Sequence, residues 1–151
     1  MREAIADLYA RYVDIVDNGP LDAWPDLFTD ECSYRIISRE NVERGLPLAL
    51  MHCQSRDMLR DRVAAMHDTA FFVPRRVRHV VGLPLLRETA DGVEVRASFA
   101  VYESLVRSPS TLLCVGEYDD LIVCDDDAWR FRRRDCVYDG DIVIGSIVHP
   151  I

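Results

Sequence analysis

The sequence contains no lysine. Its 18 basic side chains are all arginine, set against 26 Asp plus Glu, for a formal net charge of −8. That balance excludes a general nucleic-acid binder, whose affinity comes mostly from phosphate neutralisation by basic side chains. Long apolar runs are also missing. The first residues, "MREAIADLYARY", are amphipathic, so neither a signal peptide nor a transmembrane span is expected, and a cytoplasmic location is. Paired cysteines are lacking: the five are odd in number and scattered. Cys32, Cys53, Cys114, Cys124 and Cys136 show no C-x-x-C spacing and no disulfide framework. They are expected to be reduced and mostly buried thiols.

Recognisable catalytic and cofactor motifs are equally scarce. His52, His67, His79 and His149 never fall in H-x-x-x-H, H-x-H or E-x-x-H spacing. A Rieske cluster would need paired Cys and His ligands, and a mononuclear iron two His and a carboxylate; neither has a local signature. "GDIVIGS" has two glycines but lacks the G-K-[ST] of a phosphate loop, and Gly145 reads as a small residue in a strand. There is no G-x-S-x-G. His52 and Cys53 are adjacent, so in a strand they would point to opposite faces rather than form a nucleophile–base pair.

What is present is a chain of 151 residues, 49% apolar, which suits one domain with a real core. Ile5, Leu8, Tyr9, Tyr12, Val13 and Val16 recur at helical spacing, and "DNG" at 17–19 ends that helix. "LDAWPDLF" predicts a short second helix, with Pro25 tolerated near its first turn. Residues 31–37 turn extended. Ser55 caps a third helix whose expected buried stripe is Met58, Leu59, Val63 and Met66. The second half reads as strands. Asp91-Gly92 marks a hairpin; Val93, Val95, Ala97, Phe99 and Val101 alternate on one face; "SPS" at 108–110 and "DDD" at 125–127 mark further reversals. The apolar tail "DIVIGSIVHPI" suggests surface that needs covering. Helices first and an antiparallel meander after them give an α+β fold, with the helices on one face of a curved sheet.

"RYVDIVDNGPLDAWPDLFTDECSY" resembles the opening of the NTF2-like (cystatin-like) superfamily, whose cone-shaped members include isomerases, dehydratases and cyclases. Tyr12 falls where the isomerases carry an oxyanion-stabilising phenol. Their general base would fall near Ile36, which cannot take a proton, so Tyr12 reads better as a helix residue packed on the sheet. Acids do occur in a strand, at Glu117, Asp119 and Asp120. The returning strand offers Arg130, Arg132, Arg133 and Arg134, and two hairpin registers pair Asp120 with Arg132 or Asp119 with Arg134. A solvated ion-pair ladder is the main expectation there.

The most distinctive stretch is "FFVPRRVRHVVG". Preceded by "RGLPLALMHCQSRDMLRDRVAAM" and followed later by "VGEYDDLIV" and "CVYDGDIVIGSIVHPI", it resembles the small (β) subunit of Rieske-type aromatic-ring-hydroxylating dioxygenases, across essentially the whole chain. The resemblance implies a single NTF2-like domain over residues 1–151 and a structural role in aromatic-compound catabolism. It implies no catalytic residue and no cofactor in this chain. The Rieske 2Fe–2S cluster and the mononuclear iron would sit in a partner α subunit, within an α3β3-type assembly stabilised by a β trimer. The candidates for subunit contact are Arg75, Arg76, Arg78, His79, Arg132, Arg134, Tyr138 and Asp139. Arginine's planar fork suits desolvated carboxylate recognition. By alternation, Arg76, Arg78 and Val80 share one strand face, and Arg75, Val77, His79 and Val81 the other. Internal pairing of these arginines to Asp57, Asp61 or Asp68 competes evenly with an interface role. A stand-alone isomerase or dehydratase, or a small-molecule binding protein of the same fold, is the alternative function.

Overall fold

The computed structural model describes residues 1–69, 74–140, 147 and 149–151. Helix α1 (Arg2–Asn18) buries Ile5, Leu8, Tyr9, Tyr12 and Val16 as one stripe. Gly19 ends it in the left-handed region (φ 75°), its N–H donating to the Ile15 carbonyl at 2.8 Å. Residues Leu21–Leu27 then form a 3₁₀ helix with Pro25 fifth of seven, not in the first turn as the sequence suggested. The tighter coil tolerates it because so short a 3₁₀ ladder has few bonds to lose, and the bend buries Trp24, Pro25 and Leu27.

Strand β1 (Phe28–Ser38) follows, then a short helix α2 (Arg39–Glu43), whose N-terminus is capped by the Ser38 side chain accepting from the Asn41 N–H at 3.2 Å. β2 (Met51–Cys53) pairs antiparallel with β1, exposing His52 and burying Met51 and Cys53. Helix α3 (Arg56–Thr69) starts as expected: Ser55 Oγ accepts from the Met58 N–H at 3.2 Å. Leu59, Val63 and Met66 are buried, but Met58 is 42% exposed. The stripe runs i, i+4, i+7 from Leu59, and a residue one position earlier is rotated about 100° off it. Its thioether instead accepts from the Gln54 N–H at 3.3 Å.

The remaining strands are β3 (Arg75–Val81), β4 (Leu85–Thr89), β5 (Gly92–Leu105), β6 (Thr111–Asp125) and β7 (Ala128–Tyr138). The sheet order is β2-β1-β7-β6-β5-β3, with β4 alongside β3 on β5. Every pairing is antiparallel except β1 with β7, which is parallel. The sheet is therefore open, and α1, the 3₁₀ helix and α3 cover its inner face. From β5, Val93, Val95, Ala97, Phe99 and Val101 all point inward. Each such fully buried Val or Phe contributes about 1.5–3 kcal/mol by leaving water. Most of the apolar tail, residues 141–146 and 148, lies outside the described residues, Gly145 included. So do residue 70 and residues 71–73 of the arginine stretch. Ile147 packs against the core, and Ile151 is buried within it.

Candidate functional site

Two places hold the chemistry-bearing side chains: the interior of the cone and the arginine strand at its edge. The interior is set by a β-bulge. The β6–β7 hairpin closes through Asp126 and Asp127, both at positive φ, and pairs Asp125 with Ala128 and Ile122 with Phe131. Continued unchanged, that register would place Asp119 opposite Arg134, one of the two expected pairings. Arg132 instead is the extra residue of a bulge, and beyond it Leu121 meets Arg133 and Asp120 meets Arg134. The hairpin thus starts in one of the two expected registers, but the bulge breaks it before Asp119, and neither expected pairing is formed. The slip also reverses the facing of everything beyond the bulge. Arg134 turns into the core, fully buried, while Arg132 is left exposed. Arg134 is thus removed from any subunit surface.

Inside, the Arg134 guanidinium lies 3.9 Å from the ring centroids of both Tyr12 and Tyr118, 4.3 Å from Phe131 and 4.8 Å from Tyr9. Its Nη2 is 3.2 Å from Asp120 Oδ2, and the Tyr9 hydroxyl donates to the same oxygen. Burial raises the Asp120 carboxyl to about 7, with Arg134 and the Tyr9 hydrogen bond pulling the other way. Burial likewise pushes up Tyr9, Tyr12, Tyr34, Tyr118 and the Cys136 thiol, so these groups stay protonated. At the other end of the cavity the chain's own Ile151 is docked. Its backbone oxygen accepts from Tyr12 Oη (2.7 Å), Tyr34 Oη (3.2 Å) and Cys136 Sγ (3.1 Å), and its N–H donates to Tyr34 Oη at 3.0 Å. Tyr12 is thus a packed helix residue, as its position suggested, and Ile36 is fully buried beside it in the core. An acid, phenols and a cation meet here: Asp120 Oδ2 is engaged by Arg134 and Tyr9, and Tyr12 by Ile151, while the Tyr118 hydroxyl and Asp120 Oδ1 have no hydrogen-bond partner among the described residues. Among the described residues, no group of three or more His, Cys, Asp or Glu is placed to hold a metal ion. No described helix is long and apolar enough to cross a membrane.

The arginine strand β3 alternates as its sequence suggested: Arg76, Arg78 and Val80 face solvent, while Arg75, Val77, His79 and Val81 face inward. Its ion pairs among the described residues do not involve Asp57, Asp61 or Asp68. Arg75 pairs across the ladder with Glu103 of β5. His79 Nδ1 donates to Asp17 Oδ1 at 2.7 Å, and the His79 backbone N–H donates to Asp17 Oδ2 at 3.0 Å. Arg78 reaches the same end of α1, donating to Asn18 Oδ1 at 2.9 Å. Asp17 therefore caps the open edge of β3, a role with no local signature because its partner is 62 residues away. Arg76 and Arg132 form no ion pair among the described residues. Tyr138 is buried, and Asp139 is half-exposed and paired with Arg39 at 2.5 Å. On the outer face a ladder does form: Arg35 makes a bidentate pair with Asp135 (2.7 Å for both bonds), and Arg133 reaches Asp119 at 2.9 Å.

Asp17→Asn should destabilise the isolated chain by about 1–3 kcal/mol, because an amide cannot accept from both the His79 ring and its backbone N–H. Thermal melting reads the change directly.

The SnoaL-like domain family matches residues 1–135. Over 145 residues the chain is 30% identical to the anthranilate 1,2-dioxygenase small subunit of Burkholderia cepacia, covering 95% of this chain and 90% of that one. It is 31% identical over 149 residues to a β subunit of the terminal oxygenase component of terephthalate 1,2-dioxygenase from Comamonas, covering 97% and 96%. A β-subunit structure assigned to an aromatic-ring-hydroxylating dioxygenase of Novosphingobium aromaticivorans superposes with a TM-score of 0.89 at 34% identity, covering 99% of this chain and 96% of that one. The sheet and its helices are the NTF2/SnoaL-like, cystatin-like fold, and the chain belongs to the SnoaL-like domain family, among the small (β) subunits of aromatic-ring dioxygenases.

Proposed function

We propose that this chain is a non-catalytic β subunit of an aromatic-ring-hydroxylating oxygenase, binding copies of itself and a catalytic α subunit in an α3β3-type assembly. It carries no cofactor in this reading; the Rieske cluster and the mononuclear iron belong to α. The observation that carries the proposal is the filled cone. Where an enzyme of this fold needs an open, acid-lined cavity, this chain has Arg134 stacked between Tyr12 and Tyr118 and its own Ile151 hydrogen-bonded behind them. Asp120 has the raised pKa of a proton-transfer group, yet it is fully buried and bonded to Tyr9, so among the described residues it is not open to the substrate that the alternative, a stand-alone isomerase or dehydratase, would have to bring to it.

Of the candidate contact residues, Arg76 and Arg132 are exposed with no ion pair among the described residues, which leaves them available for a partner carboxylate. Exposed unpaired arginines that become desolvated on assembly suit interface chemistry. Co-expression with the cognate α subunit tests the proposal. The expected outcome is a co-purifying complex whose mass by light scattering fits three copies of each chain, with no iron retained by this chain alone. One iron per isolated chain after chelator washing, or turnover of an aromatic substrate without α, refutes it. Arg76→Glu should lower the yield of complex by an order of magnitude or more while leaving the melting temperature of the isolated chain unchanged; disruption of a buried interfacial pair costs about 3–5 kcal/mol. Unchanged yield would remove Arg76 from the interface.

A further inference from the structure

Two uncovered apolar surfaces lie at opposite ends of the open sheet. The first is at the β3 end, on the outer face. There, cross-strand neighbours form two rows: Val80, Ala100 and Val115, and Arg78, Tyr102 and Leu112. Val80 is 59% exposed, and Tyr102, Leu112 and Val115 are exposed beside it. Elsewhere on this face the charges are paired with one another: Arg87 with Glu94, Arg133 with Asp119, and Arg35 with Asp135. That part of the face suits water. The apolar rows do not, and contiguous exposed patches of this kind mark contact sites. At their rim stands Arg76, opposite Ser104, exposed and without an ion pair among the described residues.

The second surface is at the β2 end, where residues 42–50 present Val42, Leu46, Leu48 and Leu50 to solvent, Leu48 at 75% exposure. Hydrogen bonds fix the shape of this loop. The Leu46 N–H donates to the Asn41 carbonyl, Asn41 Nδ2 to the Leu48 carbonyl, and the Leu50 N–H to the Ile36 carbonyl, each at 2.8 Å. A loop already held this way loses little freedom on docking. Next to Val42, Glu43 is exposed and makes no ion pair among the described residues. One apolar surface is thus rimmed by an uncommitted arginine, the other by an uncommitted carboxylate. Docking the two together joins opposite charges, whereas pairing either surface with its own kind gathers like charges. Every copy carries both surfaces, so a closed head-to-tail ring covers them all. We infer that residues 42–50 of one copy dock on the outer face of β3, β5 and β6 of a second copy, with Glu43 against Arg76. The inference rests on the self-association proposed above and names its two contact surfaces.

Analytical ultracentrifugation of the full chain, without α, tests the inference. The parent chain should sediment as a trimer. Glu43→Arg and Arg76→Glu should each weaken self-association about tenfold or more, and both changes in one chain should restore most of it, because the pair is then only reversed. Leu48→Asp and Tyr102→Asp should each give monomers with the parent's melting temperature, since both side chains are exposed. Mixed together, these two variants should form a one-to-one dimer, one supplying an intact face and the other an intact loop. A parent chain that self-associates regardless of these changes, or a double reversal as weak as the single ones, overturns the inference and leaves the self-association standing. A parent chain that stays monomeric at high concentration overturns both. Co-purification with α is read separately and tests the role as a β subunit.

Discussion

Arg134→Met is expected to destabilise the chain by about 3–5 kcal/mol at alkaline pH, because it leaves a buried carboxylate without its cation. In a domain of this size about 1 kcal/mol shifts the melting temperature by about 2–4 °C, so the fall should be roughly 6–20 °C. The pH dependence separates pairing from packing. In the parent protein the Asp120 carboxyl titrates near 7, above the usual carboxylate range, because burial disfavours its charge. Folded protein therefore holds a proton that the unfolded chain gives up from about pH 4. The stability from this group is complete below that pH and is lost as pH rises through about 7. Removing Arg134 removes a charge that lowers the Asp120 pKa, so the variant keeps losing stability above pH 7, where the parent has levelled off. Melting curves at pH 6 and pH 9 should show the larger gap at pH 9. Asp120→Asn combined with Arg134→Met should recover most of the loss, since replacing a whole buried pair by neutral groups is often neutral or stabilising. An equal penalty at both pH values would mean that Arg134 acts only as a spacer among the rings.

Gly116→Ala should be as severe from the opposite cause. A Cβ at this position would lie 2.0 Å from the Val137 carbonyl oxygen and 2.9 Å from Phe99 Cζ and Tyr138 Cα. Overpacking typically costs about 1–3 kcal/mol where side chains can give way. Here two of the three obstacles are backbone, so the β6–β7 ladder itself has to open, and the cost should reach or exceed the top of that range. Phe99 stacks on Tyr118 with centroids 4.4 Å apart, and Tyr118 is one face of the Arg134 box, so the displacement carries into the interior. Phe99→Leu should fail to rescue Gly116→Ala, because the closest clash is with a main-chain oxygen. Rescue would show that the ring, not the strand, sets the limit.

Elements defined by local periodicity and turn chemistry were readable: α1 from its apolar stripe, α3 from the Ser55 cap, β5 from its strict alternation. The facing of β3 was readable too, since alternation in "RRVRHVV" separates Arg76 and Arg78 from Arg75 and His79. Features that depend on distant partners were not. Nothing local marks Arg132 as a bulge, yet that one residue decides whether Arg134 faces water or the core. Asp17 looked like part of a helix stop rather than the cap of β3, because its partner's identity is set by how α1 crosses the sheet. The docking of Ile151 among Tyr12, Tyr34 and Cys136 likewise joins three separate elements. The family resemblance compensated for part of this at the level of role, but it could not say which arginines are spent internally.

The parallel pairing of β1 with β7 has a consequence for biosynthesis. Ile36 meets Cys136 and Arg35 meets Asp135, a separation of 100 residues. On a ribosome adding about 5–20 residues per second, β1 emerges roughly 5–20 seconds before its central neighbour exists. During that interval its inward residues Tyr34 and Ile36 have only β2 and the helices to shelter them. Nascent chains should therefore be captured by chaperones while β7 is still unmade or inside the exit tunnel, and released once β7 is free to pair.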